Sequence, residues 1–178
     1  MLTQEENGAM AASLDELKAY LRIARDDEDG VLTDLLRGAA ALCEQFVGQW
    51  LIVRAARETV AAGAGWQRLM ATPVVSIVSM AAVDAGGVET VLPVDAYAID
   101  IDAAGDGWVR VTRGGDWRGL IVRYRAGMAV DMDGLPEALR QGIVRLAAEH
   151  FMARGTESAA PPAVVSALWR PYRRMRLS

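Results

Sequence analysis

Residues 42–60, LCEQFVGQWLIVRAARETV, decide how this chain folds, because the spacing of apolar residues changes within them. Before Gly48 the pattern is helical. Val31, Leu32, Leu35, Leu36, Ala39, Leu42, Cys43, Phe46 and Val47 recur at three- and four-residue intervals, predicting a long amphipathic helix. Gly48 is the expected stop, as a residue that tolerates the left-handed conformation, although Trp50 still falls on the stripe. Beyond it, Ile52, Arg54, Ala56, Glu58 and Val60 alternate with their neighbours, the period of a strand.

On the N-terminal side, Ser13 and Glu16 have the spacing of a capping box, and Leu14, Leu17, Leu21 and Ile23 predict a short helix from Leu14 to about Ile23. The acidic turn DDEDG (26–30) separates it from the long helix, with Asp27 and Asp29 placed where the helix dipole favours acids. On the C-terminal side, VVSIVSMAAV (74–83), YAIDI (97–101), WVRVT (108–112) and LIVRYR (120–125) read as strands broken by glycine-rich turns, predicting a small antiparallel sheet or barrel. Helical spacing returns after Pro136 with Leu139, Ile143, Leu146, Ala147 and Phe151. A final short helix stops before Pro171 and leaves an exposed basic tail. The expectation is an α+β chain: a bundle of about four helices interrupted by an antiparallel β-rich insert, with an extended C-terminal tail. The expected boundaries are an N-terminal extension over 1–12, a helical domain from 13–51 and 135–168, the insert over 52–134, and a docking tail over 169–178.

At 178 residues, 52% hydrophobic and 24% charged, the chain is long and apolar enough to bury a core. Its acidic start has no apolar run of the kind a secretion signal or membrane span needs, so a cytoplasmic origin is expected. The net charge of −4 is unevenly spread. Up to Trp50, ten acids face Lys18, Arg22, Arg25 and Arg37, whereas from Leu135 onward seven arginines outnumber Glu137, Glu149 and Glu157. Opposite ends of the chain therefore suit different partners, or one another in a neighbouring subunit.

Catalytic chemistry finds little support. The single cysteine, Cys43, and the single histidine, His150, lie on different predicted helices, which leaves no nucleophile and base pair and no Cys/His metal set. DDEDG lacks the spacing of a calcium loop, and Asp95, Asp100, Asp102 and Asp106 are explained by turns. No glycine-rich stretch has the lysine or spacing of a phosphate loop. No catalytic, cofactor-binding or metal-ligating residues are assigned. Trp66, Trp108 and Trp117 are either contact anchors or packing over the sheet. The binding signal lies in the tail, LWRPYRRMR, where Trp169 and Tyr172 are mixed with Arg170, Arg173, Arg174 and Arg176. Such a mixture suits a protein interface or a nucleic-acid backbone, and the chain's acidic balance favours the protein.

Three segments in order, 14–51 (LDELKAYLRIARDDEDGVLTDLLRGAAALCEQFVGQWL), 71–100 (ATPVVSIVSMAAVDAGGVETVLPVDAYAID) and 135–155 (LPEALRQGIVRLAAEHFMARG), resemble the head-tail connector, or adaptor, proteins of long-tailed bacteriophages and of phage-like gene transfer agents. Val122, Tyr124 and Gly127 match a further strand of that pattern. Gly142 departs from it, since many relatives carry alanine there, which either weakens the helix by roughly 1 kcal/mol or permits close helix packing. The acidic extension before Ser13 is another departure. The resemblance implies a structural protein and not an enzyme. It implies a homo-oligomeric ring of about twelve subunits at the head-tail interface, between portal protein and a tail-side stopper or terminator, with DNA passing through the channel and no membrane. It also implies that Leu168, Trp169, Arg170, Pro171, Tyr172, Arg173, Arg174, Met175 and Arg176 bind the portal. From charge, Asp26, Asp27, Glu28 and Asp29 are expected to face the channel, where like charge keeps DNA from sticking. The alternative is a small DNA-binding or packaging accessory protein that uses the arginine tail on phosphates.

Overall fold

The computed structural model describes residues 1–4, 9–153 and 161–174. The chain divides into two compact units, a β unit of residues 1–8 and 53–128 and a helical unit of residues 9–52 and 129–178. The fold is α+β, as expected.

In the helical unit, α1 (Leu14–Leu21) starts at the expected capping box: the Ser13 hydroxyl accepts from the Asp15 amide at 3.1 Å, and the Ser13 amide donates to Glu16 at 3.4 Å. It ends at Leu21, two residues before Ile23, because Arg22 adopts a left-handed φ of 59°. Next, α2 (Asp29–Val47) turns Leu32, Leu36, Ala39, Cys43 and Val47 inward and ends at Gly48, whose φ of 70° supplies the break. The period change seen in the sequence is therefore real, and Trp50 lies beyond the helix. α3 (Glu137–Ala153) buries Leu139, Ile143, Leu146 and Ala147. α4 (Ala163–Trp169) continues into a single 3₁₀ turn, Arg170–Tyr172, which accommodates Pro171 near its start.

Two antiparallel sheets make up the β unit. The larger contains β1 (Leu2–Gln4), β2 (Arg54–Val60), β4 (Val74–Val83), β5 (Glu89–Val91) and β8 (Gly119–Ala126), in the order β1-β2-β8-β4-β5. The smaller pairs β3 (Gln67–Arg68), β7 (Gly107–Val111) and β6 (Tyr97–Ile101). Five of these strands match the expected segments, whereas β1, β3 and β5 have no signal of their own. The N-terminal residues join the sheet because β1 registers with β2, Leu2 opposite Glu58 and Gln4 opposite Ala56.

One face of the larger sheet is buried along its length, whereas on the other Ile121 and Ala81 are buried but Val75, Val78, Val91 and Arg125 are exposed. Ala56, Glu58, Leu120, Val122, Tyr124, Met80 and Ala82 share the inner face and are buried. β7 closes over that face so tightly that a Cβ on Gly107 would lie 2.7 Å from the Val74 side chain. Glu58 and Tyr124 pair on this face: the Tyr124 hydroxyl donates to Glu58 at 2.6 Å and accepts from the Ala71 amide at 3.1 Å, while the Met70 amide donates to Glu58 at 2.9 Å. This triad ties residues 70–71 to the sheet, since leaving any of these buried groups unpaired costs about 1–3 kcal/mol. Burial and the hydrogen bond to Glu58 hold the Tyr124 phenol protonated well above the ordinary tyrosine range.

Candidate functional site

The structure presents three surfaces suited to contact. In the C-terminal segment, Trp169 is fully buried, against the expectation of an exposed tail. Its ring centroid lies 5.7 Å from that of Phe46, and its indole N–H donates to the Leu139 carbonyl at 3.3 Å. Gly142 makes the seat: a Cβ there would fall 2.1 Å from the indole nitrogen. Of the two readings of Gly142, close packing is the one the structure supports.

The chain after Trp169 follows its own bundle. The Gln49 side-chain amide donates to the Tyr172 carbonyl at 2.8 Å, the Arg174 amide donates to the Val47 carbonyl at 2.9 Å, and the Arg173 guanidinium lies 5.7 Å over the Phe46 ring. A run too polar to bury is thus held by one tryptophan and by the backbone groups that the end of α2 leaves open. Arg170, Pro171 and Arg173 face solvent, Leu168, Tyr172 and Arg174 are half-buried, and Met175 and Arg176 lie outside the described residues.

A second surface lies between α1 and α3. A groove of about 290 Å³ is lined by Glu16, Tyr20, Glu137, Arg140, Gln141, Val144 and Arg145. Arg140 is its electrostatic centre. It pairs closely with Glu137 and reaches Asp133 at 3.6 Å and Glu16 at 3.8 Å. Its guanidinium, followed by Gln141, holds the Glu137 carboxyl below the usual carboxylate range. Tyr20 is 54% exposed at the edge of this groove. The sequence did not signal the groove, because its residues come from helices over a hundred positions apart.

The third surface is the outer face of the larger sheet. Arg57 and Arg123 stand directly opposite each other on β2 and β8, an arrangement that like charge disfavours. Glu89 of β5 bridges both, pairing closely with Arg57 and at 2.8 Å with Arg123, and these two arginines keep its carboxyl below the usual range. Arg125 is exposed further along β8.

The other flagged residues have structural roles. Lys18 bridges Asp26 at 2.6 Å and Asp29 at 2.7 Å, closing the α1–α2 turn and depressing Asp26. Asp27 and Glu28 face solvent. Cys43 is fully buried and burial pushes its thiol far up, which removes the thiolate that nucleophilic chemistry needs. His150 is half-buried on α3. Asp102 accepts the amides of Ala104 and Asp106 at 2.9 Å each and the Trp108 indole at 3.3 Å, Asp106 pairs with Arg68, and Asp95 pairs with Arg113. Trp66 lies 4.7 Å beneath Arg110, and Trp117 packs over Gly115. Among the described residues no group of three or more acidic, histidine or cysteine side chains is placed to hold a metal, and no helix is long and apolar enough to cross a membrane.

Comparison with known proteins finds likeness to a phage family and to chains of gene transfer agent particles. Residues 11–82 match the family described as phage gp6-like head-tail connector protein. A chain in the neck of a native gene transfer agent particle, computed with C12 symmetry, aligns with a TM-score of 0.81 at 26% identity, covering 100% of this chain and 97% of that one. A chain in the neck of an empty particle, computed with C6 symmetry, aligns at 0.80 and 25%, and one in the virion of the native particle at 0.80 and 26%, with the same coverage. No curated protein matches. The resemblance carried by the ordered sequence segments therefore holds: residues 11–82 are similar in sequence to the phage head-tail connector family, and the whole chain is similar in fold to a chain in the neck of a gene transfer agent particle.

Proposed function

We propose that this protein is a structural, non-enzymatic adaptor that forms a ring at the head-tail interface of a phage or phage-like particle, with DNA passing through the ring. The observation that carries this reading is the full-length likeness to a chain in a particle neck computed with C12 symmetry, which favours many copies about one axis. Within the ring, the segment around Arg170, Pro171 and Arg173 is assigned to the portal. Trp169 then serves as the anchor that fixes where this segment leaves the bundle, not as a contact residue. The tail-side stopper or terminator meets the opposite end. The turn 26–29 is assigned to the channel, where Asp27 and Glu28, the members not tied to Lys18, supply the repulsion that lets DNA slide.

Deletion of the gene tests the assignment. The expected outcome is DNA-filled heads and free tails that fail to join, with joining restored by the added protein. Normal tailed particles from the deletion strain would refute it. Arg170→Ala with Arg173→Ala is expected to leave the protein folded and to reduce its retention on purified heads. If instead the double variant loses salt-sensitive duplex binding while heads still acquire tails, the segment reads phosphates, and the accessory DNA-binding role replaces the adaptor role.

A further inference from the structure

The outer face of the larger sheet buries Ile121 and Ala81 toward one end, and its open remainder has two chemically different halves. β4 carries two bulges opposite β8, one between Val74 and Ser76 and one between Ile77 and Ser79, and the inserted residues are Val75 and Val78. Both are solvent-facing, at 55% and 65% exposure, and Val91 on the adjoining β5 is 66% exposed. The ladder sets this valine band beside Arg123 and Arg125, the partners of Ser79 and Ser76, with Arg57 one strand further on. Three arginines against Glu89 leave the face basic. Arg125 has no ion pair among the described residues. An edge strand normally displays charge or proline to prevent association, and an apolar surface of this kind marks a contact.

The α1–α3 groove has the opposite character. Tyr20 and Val144 give it apolar walls, and Glu16, Asp133 and Glu137 outnumber Arg140 and Arg145 around it. A ring of identical subunits needs two different, mutually complementary surfaces on each copy. We infer that the valine and arginine face of the sheet on one copy docks into the α1–α3 groove of the next, valines against Tyr20 and Val144, and arginines against the groove carboxylates. The occupant is a second copy of this chain because charge and apolar character match in both directions, and because the fold occurs in necks computed with C6 and C12 symmetry. The inference rests on the ring reading above and specifies its interface.

Cysteine crosslinking tests it, since Cys43 is fully buried and silent. Particles assembled with a chain carrying both Val78→Cys and Tyr20→Cys are expected to give, on mild oxidation, a ladder of covalent multimers, and either single variant none. Particles with an occupied neck and no ladder would overturn this interface while leaving the ring intact. Absence of the wild-type protein from the neck would overturn the ring reading itself. Independently, Arg125→Glu changes only an exposed side chain, and is expected to be incorporated at least tenfold less than wild type in direct competition, with an unchanged circular dichroism spectrum. Equal incorporation, or a loss confined to duplex-DNA binding, would overturn the inference.

Discussion

The helical and β units dispose of apolar side chains in opposite ways. Of the twelve largest fully buried side chains, eight belong to the helical unit, among them Trp169, Leu17, Leu32, Leu36 and Ile143, and four to the β unit. Exposure runs the other way: among the described residues ten large apolar side chains are exposed in the β unit and five in the helical unit. Residues 1–4 and 53–128 thus show valines and isoleucines to solvent that the helices would have buried. One unit is built to hold its shape and to pin its own C-terminal segment. The other keeps a face open for something else.

The most severe way to break this contrast is to remove the pin. Trp169→Ala is expected to cost about 3–5 kcal/mol in urea unfolding and to expose the arginine segment to trypsin. Gly142→Ala sharpens the same point. In a free helix this change gains roughly 1 kcal/mol, but against the indole at 2.1 Å it is expected to destabilise by about 1–3 kcal/mol; a stabilised variant would mean that the tryptophan seat is looser than described. In the β unit, Tyr124→Phe removes one hydroxyl, leaves the Ala71 amide without its acceptor and takes one of two donors from Glu58, with an expected loss of about 1–3 kcal/mol.

Val78→Ser lies on the open face and is expected to change stability by less than about 0.5 kcal/mol while lowering incorporation into particles. A stability loss comparable to that of Tyr124→Phe would show that this face is core and not contact. The smallest effect belongs to Lys18→Met. Lys18 lowers the Asp26 pKa from 3.8, so the pair stabilises the folded chain fully above that pH, and less as the pH falls below it. The difference between wild type and variant in thermal melts is therefore expected to be constant near neutrality and to close on acidification below 3.8.

What could be read in advance followed from residues whose conformational demands are local. Ser13 with Glu16 set the start of α1, Gly48 set the end of α2, and runs of period 3.6 or 2 set the longer elements. β1, β3 and β5 have two or three residues each, too few to show a period, and exist because a longer strand offers them an edge. Alternation along β2 was legible, but not that Arg54 and Glu58 take the inner side. Glu58 is inside because Tyr124 and the Met70 amide, both distant in sequence, complete its hydrogen bonds. For the candidate site, the chemistry of the tail was visible and its docking on its own bundle was not, because charge density says nothing of a seat made by a glycine on another helix. The α1–α3 groove and the arginine face likewise exist only once distant segments are brought together.

The two bulges in β4 also bear on life before assembly. If copies assemble through this face as inferred above, each stays in solution beforehand with Val75 and Val78 uncovered, a state in which a flat valine edge would recruit further strands into open-ended fibres. Each inserted residue breaks the regular spacing of amide and carbonyl groups and increases the local twist, so no straight strand can align along this stretch. Association in the wrong geometry is therefore blocked by the backbone, while the side chains stay available for the right one. A chain with Val75 and Val78 both deleted would be flatter, less soluble and more prone to fibre formation, although it carries fewer apolar residues.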